Sequence, residues 1–165
     1  MPSKVKPKFL DFANSLLNND ILKNALSFNE HLRDNGLTAD KVSKYFWAVK
    51  YEGTRICTIS VRKDSWWIRF FGRYDGSEEL LDQCEEYLSE EIKNLILDNI
   101  RKPGCKNGDC TGYISKLIFG KMFYRVCWCS PFILNNPDGK SLEYAKEIVL
   151  ICKKTAADIT IGKAK

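Results

Sequence analysis

Residues 45–71 read YFWAVKYEGTRICTISVRKDSWWIRFF, and this stretch decides the fold class. Aromatic and β-branched residues fill three runs, at residues 45–51, 55–62 and 65–71, as is typical of strands. The pairs Glu52-Gly53 and Lys63-Asp64 supply turn residues between the runs. The stretch therefore predicts a three-stranded antiparallel meander.

The middle run of this meander alternates along its length. Cys57, Ile59 and Val61 share one face of an extended strand, while Thr58 and Ser60 point to the other. This period is typical of a half-buried antiparallel strand. We therefore expect Cys57 to pack as a small hydrophobic side chain.

Helical patterns flank the meander on both sides. Apolar residues recur at helical spacing in residues 9–32, and Gly36 is expected to end that region, with Thr38 capping a short further turn. Ser77 is expected to cap one continuous helix, and Ser141 is expected to cap the last helix, with fraying after residue 159. The stripe of the helix after Ser77 comprises Leu81, Cys84, Leu88, Ile92, Leu95 and Ile96.

This order of elements predicts a single α+β domain over residues 1–165, with an antiparallel sheet covered by helices on one side. Residues 1–40 form its helical N-terminal segment, and residues 45–100 hold the three-strand meander and a helix. Residues 101–159 hold a cysteine-bearing loop, a region of strand and the C-terminal helix.

Basic charge is concentrated on one segment. The chain has a net charge of +5, and residues 101–125 alone contain six basic residues against one acid, Asp109. The excess has three interpretations: a solvated loop, a patch that faces an anion, or cations that offset the charge of a metal tetrathiolate.

The N-terminal sequence MPSKVKPKFLDF lacks the apolar core of a secretory signal, and no apolar run approaches a membrane span. We therefore expect a cytoplasmic protein with no membrane partner, in which thiols stay reduced or bind metal. The seven cysteines also exclude a fully paired disulfide framework in a monomer.

Four cysteines fall late in the chain, at Cys105, Cys110, Cys127 and Cys129. Cys127 and Cys129 are two residues apart and would share a face of a regular strand. With Cys105 and Cys110 from a glycine-rich loop, they would complete a closed Cys₄ zinc site, which is structural because no ligand position stays open. The alternatives are unmetallated thiols and a thiol-based redox protein or enzyme that uses these cysteines.

Aromatic residues concentrate on the meander and its end. An aromatic-lined cleft for a small apolar or anionic ligand is one interpretation, and packing in the core is the other. Arg69 is expected on the same side of its strand as Trp67 and Phe71, where it could hold an anionic group. The candidate ligand-binding residues are Trp47, Trp66, Trp67, Arg69, Phe71 and Tyr74.

Aromatic and basic residues together also fit single-stranded nucleic acid, which we regard as the less favoured partner. Residues 69–74, RFFGRY, are only loosely similar to an RNA-recognition strand. The single histidine, His31, argues against triads and histidine-rich metal centres, and no phosphate-binding glycine loop occurs. The sequence thus gives an enzyme no direct support.

Residues 44–61, KYFWAVKYEGTRICTISV, and residues 118–149, IFGKMFYRVCWCSPFILNNPDGKSLEYAKEIV, resemble an uncharacterised group of small cytosolic α+β proteins from anaerobic bacteria. The resemblance covers about the last two-thirds of the chain. It implies the fold class and no established activity. The residues themselves favour a binding module, regulatory in character, with a small-ligand cleft. For the four late cysteines, a structural zinc site and unmetallated thiols both stay open.

Overall fold

The computed structural model describes residues 8–72, 78–102, 104, 113–127, 129 and 131–163. Within these residues the helices are α1 (Phe9–Leu16), α2 (Asn19–Asp34), α3 (Glu78–Cys84), α4 (Glu90–Asp98) and α5 (Gly139–Lys163). The strands are β1 (Ala39–Ser43), β2 (Phe46–Tyr51), β3 (Thr54–Arg62), β4 (Ser65–Phe70), β5 (Tyr113–Ile118), β6 (Lys121–Cys127) and β7 (Phe132–Asn135). The predicted α+β class is confirmed.

The main sheet has the strand order β1-β2-β3-β4-β7, and every neighbouring pair is antiparallel. The predicted meander forms its centre. Strands β5 and β6 make a separate two-stranded hairpin. The helices cover one face of the main sheet, where α1 and α5 contact β3 and α2 contacts β4.

The strand register divides the side chains cleanly between the two faces. One row runs Trp47–Ile59–Ile68–Leu134 across four strands, and all four side chains are buried in the core beneath the helices. The next row, Ala48–Thr58–Arg69–Ile133, lies on the opposite face. Residues that pair directly across neighbouring strands lie on the same face of the sheet. The next pair along lies on the opposite face, because side chains alternate along every strand.

The predicted alternation of β3 is confirmed, but the prediction of a half-buried strand is wrong. Thr58 and Ser60, on the face away from the helices, are 2% and 0% exposed. Cys57 is buried in the core, as its place in the alternation predicted. The second face of the sheet is therefore shielded by side chains of its own, such as the half-buried Phe46 and Trp67, whose rings meet edge to face.

The single helix predicted after Ser77 is interrupted, and Ser77 itself lies outside the described residues. Helix α3 ends at Cys84, a 3₁₀ turn follows at Glu85–Tyr87, and α4 begins at Glu90. Ser89 provides the reason, because its backbone is extended and its Oγ accepts a hydrogen bond from the Ile92 N–H at 3.3 Å. Glu90 and Glu91 then fall in the first turn, where the helix dipole favours acidic residues.

Three further predictions about helices and strands are wrong. Thr38 does not begin a short helical turn, since residues 39–43 pair with β2 as the edge strand β1. Helix α5 begins at Gly139, before the predicted cap Ser141, whose Oγ accepts the Asp138 N–H at 3.0 Å. The same helix continues past the predicted fraying point, to Lys163.

The Ser89 cap predicts a measurable loss of stability. Ser89→Ala removes the acceptor for the Ile92 N–H, and we expect the free energy of unfolding to fall by about 1 kcal/mol in urea titrations. Ser43→Ala, at an exposed strand end, is the matched control and should stay within about 0.5 kcal/mol of wild type. Equal losses in both variants would contradict a capping role.

Candidate functional site

The structure separates the residues predicted to bind a ligand. Trp47, Trp66 and Phe71 are at most 1% exposed and belong to the core on the helix side of the sheet. Trp67 and Arg69 are half-buried on the opposite face. Tyr74 lies outside the described residues. A single cleft shared by the five described side chains is therefore not formed.

Phe71 departs from the alternation that the sequence suggested. Strand β4 ends at Phe70, and Phe71 adopts a left-handed backbone with φ of 59°. This conformation is costly for a bulky residue, but it turns the Phe71 ring towards Phe132, at 6.4 Å between centroids. Phe70 stacks on the same ring at 5.7 Å. Burial of two adjacent aromatic rings offsets the backbone strain.

Trp67 is the centre of an aromatic and cationic cluster on the face away from the helices. Its ring meets Phe46 edge to face, with 6.3 Å between centroids. The Arg62 guanidinium lies 5.9 Å from the Trp67 centroid and 4.2 Å from the Tyr45 centroid. Arg69 lies 5.9 Å from the Phe46 centroid. These distances are within the range of cation–π attraction, so the cluster holds Trp67 on one side.

The other side of Trp67 faces a cleft of about 440 Å³. This volume falls within the range of about 300–1,000 Å³ typical of small-molecule sites. Apolar contact comes from Trp67, Ile100 and Ile133, and the remaining walls are polar or basic. The lining residues are Trp67, Asn99, Ile100, Arg101, Lys102, Ile133 and Asn135.

Backbone hydrogen bonds fix the basic wall of this cleft. After α4, Ile100 forms an antiparallel bridge with Phe132, so the chain runs beside strand β7. The Arg101 N–H donates to the Pro131 carbonyl at 2.8 Å, and the Arg101 carbonyl accepts the Cys127 N–H at 2.7 Å. The backbone N–H and carbonyl of Arg101 are thus both hydrogen-bonded. The side chains of Arg101 and Lys102 are exposed at the cleft.

The charged side chains described at the cleft are all positive. Arg101 and Lys102 supply two positive charges, and none of the described residues that line it is a carboxylate. Asn99 and Asn135 add amide groups, which donate and accept hydrogen bonds. Such a site attracts an anion and offers the Trp67 ring as an apolar wall.

The basic segment 101–125 therefore contributes to this cleft at its first two residues. Sequence reasoning identified the charge excess and Trp67, but it missed Asn99, Ile100, Ile133 and Asn135. Those residues join the site only because the chain after α4 lies along β7, a long-range pairing that no local pattern reveals.

The late cysteines are only partly described. Cys127 is the last residue of β6 and is 1% exposed, whereas Cys129 lies beyond the strand and is half-buried. The expectation that both sit in one regular strand is therefore wrong. Cys105 and Cys110 lie outside the described residues, and within the part of the chain that the structure describes no group of three or more metal-ligating side chains converges.

A second depression, of about 700 Å³, lies on the helical side of the molecule between the 3₁₀ turn and the end of α5. Four carboxylates dominate its walls, with Tyr87 and Lys93 beside them. The Lys154 ammonium lies 4.5 Å from the Tyr87 ring centroid. The carboxylates are Asp82, Glu85, Glu86 and Asp158. An acidic wall of this kind disfavours anionic ligands, in contrast to the Trp67 cleft.

Comparisons with protein-family models, with curated proteins and with solved structures found no match to this chain. The resemblance to an uncharacterised bacterial group stays a prediction. Among the described residues, no helix has both the length and the apolar character needed to cross a membrane.

Trp47 and Trp67 lie in different environments, so we expect ionic quenchers to act differently on their fluorescence. Trp47 is fully buried, whereas Trp67 is half-buried near Arg62, Arg101 and Lys102, so iodide should quench Trp67 in preference to Trp47. We expect Trp67→Phe to remove most of the difference between iodide and caesium quenching constants, and Trp47→Phe to preserve it. Trp128, outside the described residues, is retained in both variants. Equal effects of the two substitutions would contradict a cationic environment at Trp67.

Proposed function

We propose that this protein is a binding module for a small anion that carries a flat apolar ring, held in the Trp67 cleft. The observation that carries the proposal is the meeting of a half-buried tryptophan with Arg101 and Lys102 around one cleft of about 440 Å³. We propose that it acts in a reducing compartment such as the cytoplasm.

The ring of the ligand would pack against Trp67 and Ile133. Trp67 is held by Phe46 and Arg62 on its other side, so its orientation is set before a ligand arrives. A preorganised aromatic wall lowers the entropy cost of binding. Stacking on such a wall is worth about 1–3 kcal/mol for a nucleobase-sized ring.

The anionic group of the ligand would be held by Arg101 and Lys102. The peptide groups of Arg101 are fixed to Pro131 and Cys127, so the guanidinium starts from a rigid anchor. Hydrogen bonds to charged groups contribute about 1.5–3 kcal/mol each. A ligand lacking the anion would therefore lose most of its affinity.

Adenosine 5′-monophosphate, adenosine and inorganic phosphate together test both halves of the proposal. We expect tryptophan fluorescence and calorimetry to show binding of the monophosphate, and much weaker binding of the other two. Arg101→Glu with Lys102→Glu should weaken monophosphate binding by about tenfold or more. The matched control is Lys121→Glu with Arg125→Glu, which makes the same charge change on the hairpin, away from the cleft.

Two results would overturn this assignment. Equal losses of monophosphate affinity in both double variants would show that binding depends only on the overall charge of the protein. A single-stranded oligonucleotide that binds more tightly than the monophosphate, and loses affinity with Lys121→Glu and Arg125→Glu, would favour nucleic acid on the hairpin. That alternative has one supporting observation, since the exposed Tyr113 ring lies 4.9 Å from the Arg125 guanidinium.

We also propose a structural zinc site formed by Cys105, Cys110, Cys127 and Cys129. Its support is the position of Arg101, whose backbone is hydrogen-bonded to Cys127 and to Pro131, the residues two positions before and two positions after Cys129. Cys105 is four positions after Arg101, a span of at most about 14 Å. The described cysteines are thus within reach of the segment that carries the other two.

Metal analysis tests this second proposal. Protein purified without chelator or added zinc should contain about one zinc per chain, and Cys127→Ala with Cys129→Ala should abolish it. Cys57→Ala, a buried cysteine of the sheet, is the control and should retain the metal. Metal-free protein with all seven thiols titratable would rule the site out.

A further inference from the structure

Two cysteines outside the late cluster meet in the core. Cys84, the last residue of α3, and Cys152 of α5 are both 0% exposed, and their sulfur atoms lie 3.8 Å apart. They are separated by 68 positions in sequence. The sequence pattern assigned Cys84 to an apolar helix stripe and gave no sign that it meets Cys152.

We propose that Cys84 and Cys152 form a redox-active dithiol, which a small neutral peroxide converts into a disulfide that joins α3 to α5.

The geometry needs little rearrangement. A disulfide requires about 2.05 Å between the sulfur atoms, so closure moves them together by somewhat under 2 Å. Both sulfurs lie on helices that already pack against each other. The change is within reach of side-chain rotation and a small helix shift, with no rearrangement of the sheet.

The dithiol has a polar neighbour that connects it to solvent. The Cys84 sulfur lies 3.4 Å from Thr155 Oγ1, and the Thr155 hydroxyl donates to the Ile151 carbonyl at 2.9 Å. Thr155 and Gln83, the residue beside Cys84, both line the acidic depression of about 700 Å³. An oxidant in this depression is therefore one side chain away from Cys84.

The electrostatics of the pair distinguish the two thiols. The hydrogen bond between the two thiols lowers the pKa of Cys84 against the opposing effect of burial. The same pairing, reinforced by burial, raises the pKa of Cys152 well above its usual range. Cys84 is also the thiol whose sulfur contacts Thr155 at the depression, so we assign Cys84 as the attacking thiolate and Cys152 as the resolving thiol.

The oxidation balances with one peroxide molecule. The Cys84 thiolate attacks one peroxide oxygen, the O–O bond breaks, and a sulfenic acid forms while the departing oxygen takes the thiol's proton and leaves as water. The Cys152 sulfur then attacks the Cys84 sulfur, forming the S–S bond and breaking the S–O bond. The released hydroxide takes the Cys152 proton and leaves as a second water.

The acidic walls select the oxidant. Four carboxylates, Asp82, Glu85, Glu86 and Asp158, line the depression together with one described basic residue, Lys93, and Lys116 lies 3.8 Å from Asp82. The remaining negative charge disfavours glutathione disulfide, which carries net negative charge, at the entrance. Hydrogen peroxide is neutral and small, and it meets no such barrier. The choice of oxidant can therefore be tested separately from the identity of the cysteines.

Peptide mapping of the native full-length protein tests the proposal directly. Trypsin places Cys84 on residues 74–93, Cys152 on residues 147–153 and Cys57 on residues 56–62, so each of these peptides carries one cysteine. After hydrogen peroxide treatment and alkylation, we expect residues 74–93 linked to residues 147–153. Glutathione disulfide at the same concentration should produce at least about tenfold less of this link.

The link should also stabilise the fold. Closing a long loop typically contributes about 2–4 kcal/mol, which corresponds to a rise in Tm of about 5 °C or more that dithiothreitol reverses. Cys152→Ser should abolish both the linked peptide and the rise, whereas Cys57→Ser should keep them. If Cys152→Ser fails to fold, the wild-type peptide map decides alone.

Three outcomes would overturn the proposal. The first is Cys84 and Cys152 that both stay reduced in native protein after the hydrogen peroxide treatment. The second is a link from Cys152 to Cys57 instead of Cys84. The third is oxidation of Cys84 to sulfinic acid with no link to Cys152.

Discussion

The antiparallel register of β2, β3, β4 and β7 is the constraint on which the rest of the structure depends. It aligns Trp47, Ile59, Ile68 and Leu134 in one buried row, and the helices pack on that row. A slip of one residue in any strand would exchange its two faces. The adjacent residues Trp66 and Trp67 show the consequence, because the register buries the first among the helices and leaves the second half-buried on the opposite face, at the cleft.

The cleft lies at the outer edge of the sheet. Strand β7 is the last strand of the main sheet, and the chain after α4 lies beside it through the Ile100–Phe132 bridge. The bonds from Arg101 to Pro131 and Cys127 continue that contact. The cleft is thus bounded by Trp67 on the sheet and by Arg101 and Lys102 on the flanking chain. Neither boundary alone would form the cleft.

The sequence predicted the parts of the fold that local pattern controls. The meander, its turns and the alternation along β3 follow from short-range periodicity, and Glu52 and Gly53 do adopt the positive φ values of a tight turn. Phe71 was misplaced because burial against Phe132 outweighed strand alternation. The break at Ser89 was missed because the apolar stripe continues through it, from Cys84 to Ile92, even though the helix does not. The cleft and the dithiol were beyond such reasoning, since both join residues that only the tertiary fold brings together.

Helix α4 links the two chemically distinct regions of the molecule. Cys84 ends α3 on the helical side of the sheet, and Arg101 lies a short distance beyond the end of α4, at the cleft. The segment between them is firmly held, because Ile92 and Ile96 are fully buried and Ser89 caps its start. A disulfide that shifted the end of α3 would therefore reach the cleft only by moving α4 as a unit. The hydrogen bonds of Arg101 to Pro131 and Cys127 oppose that movement, so the fold favours independent operation of the proposed dithiol and the proposed anion cleft.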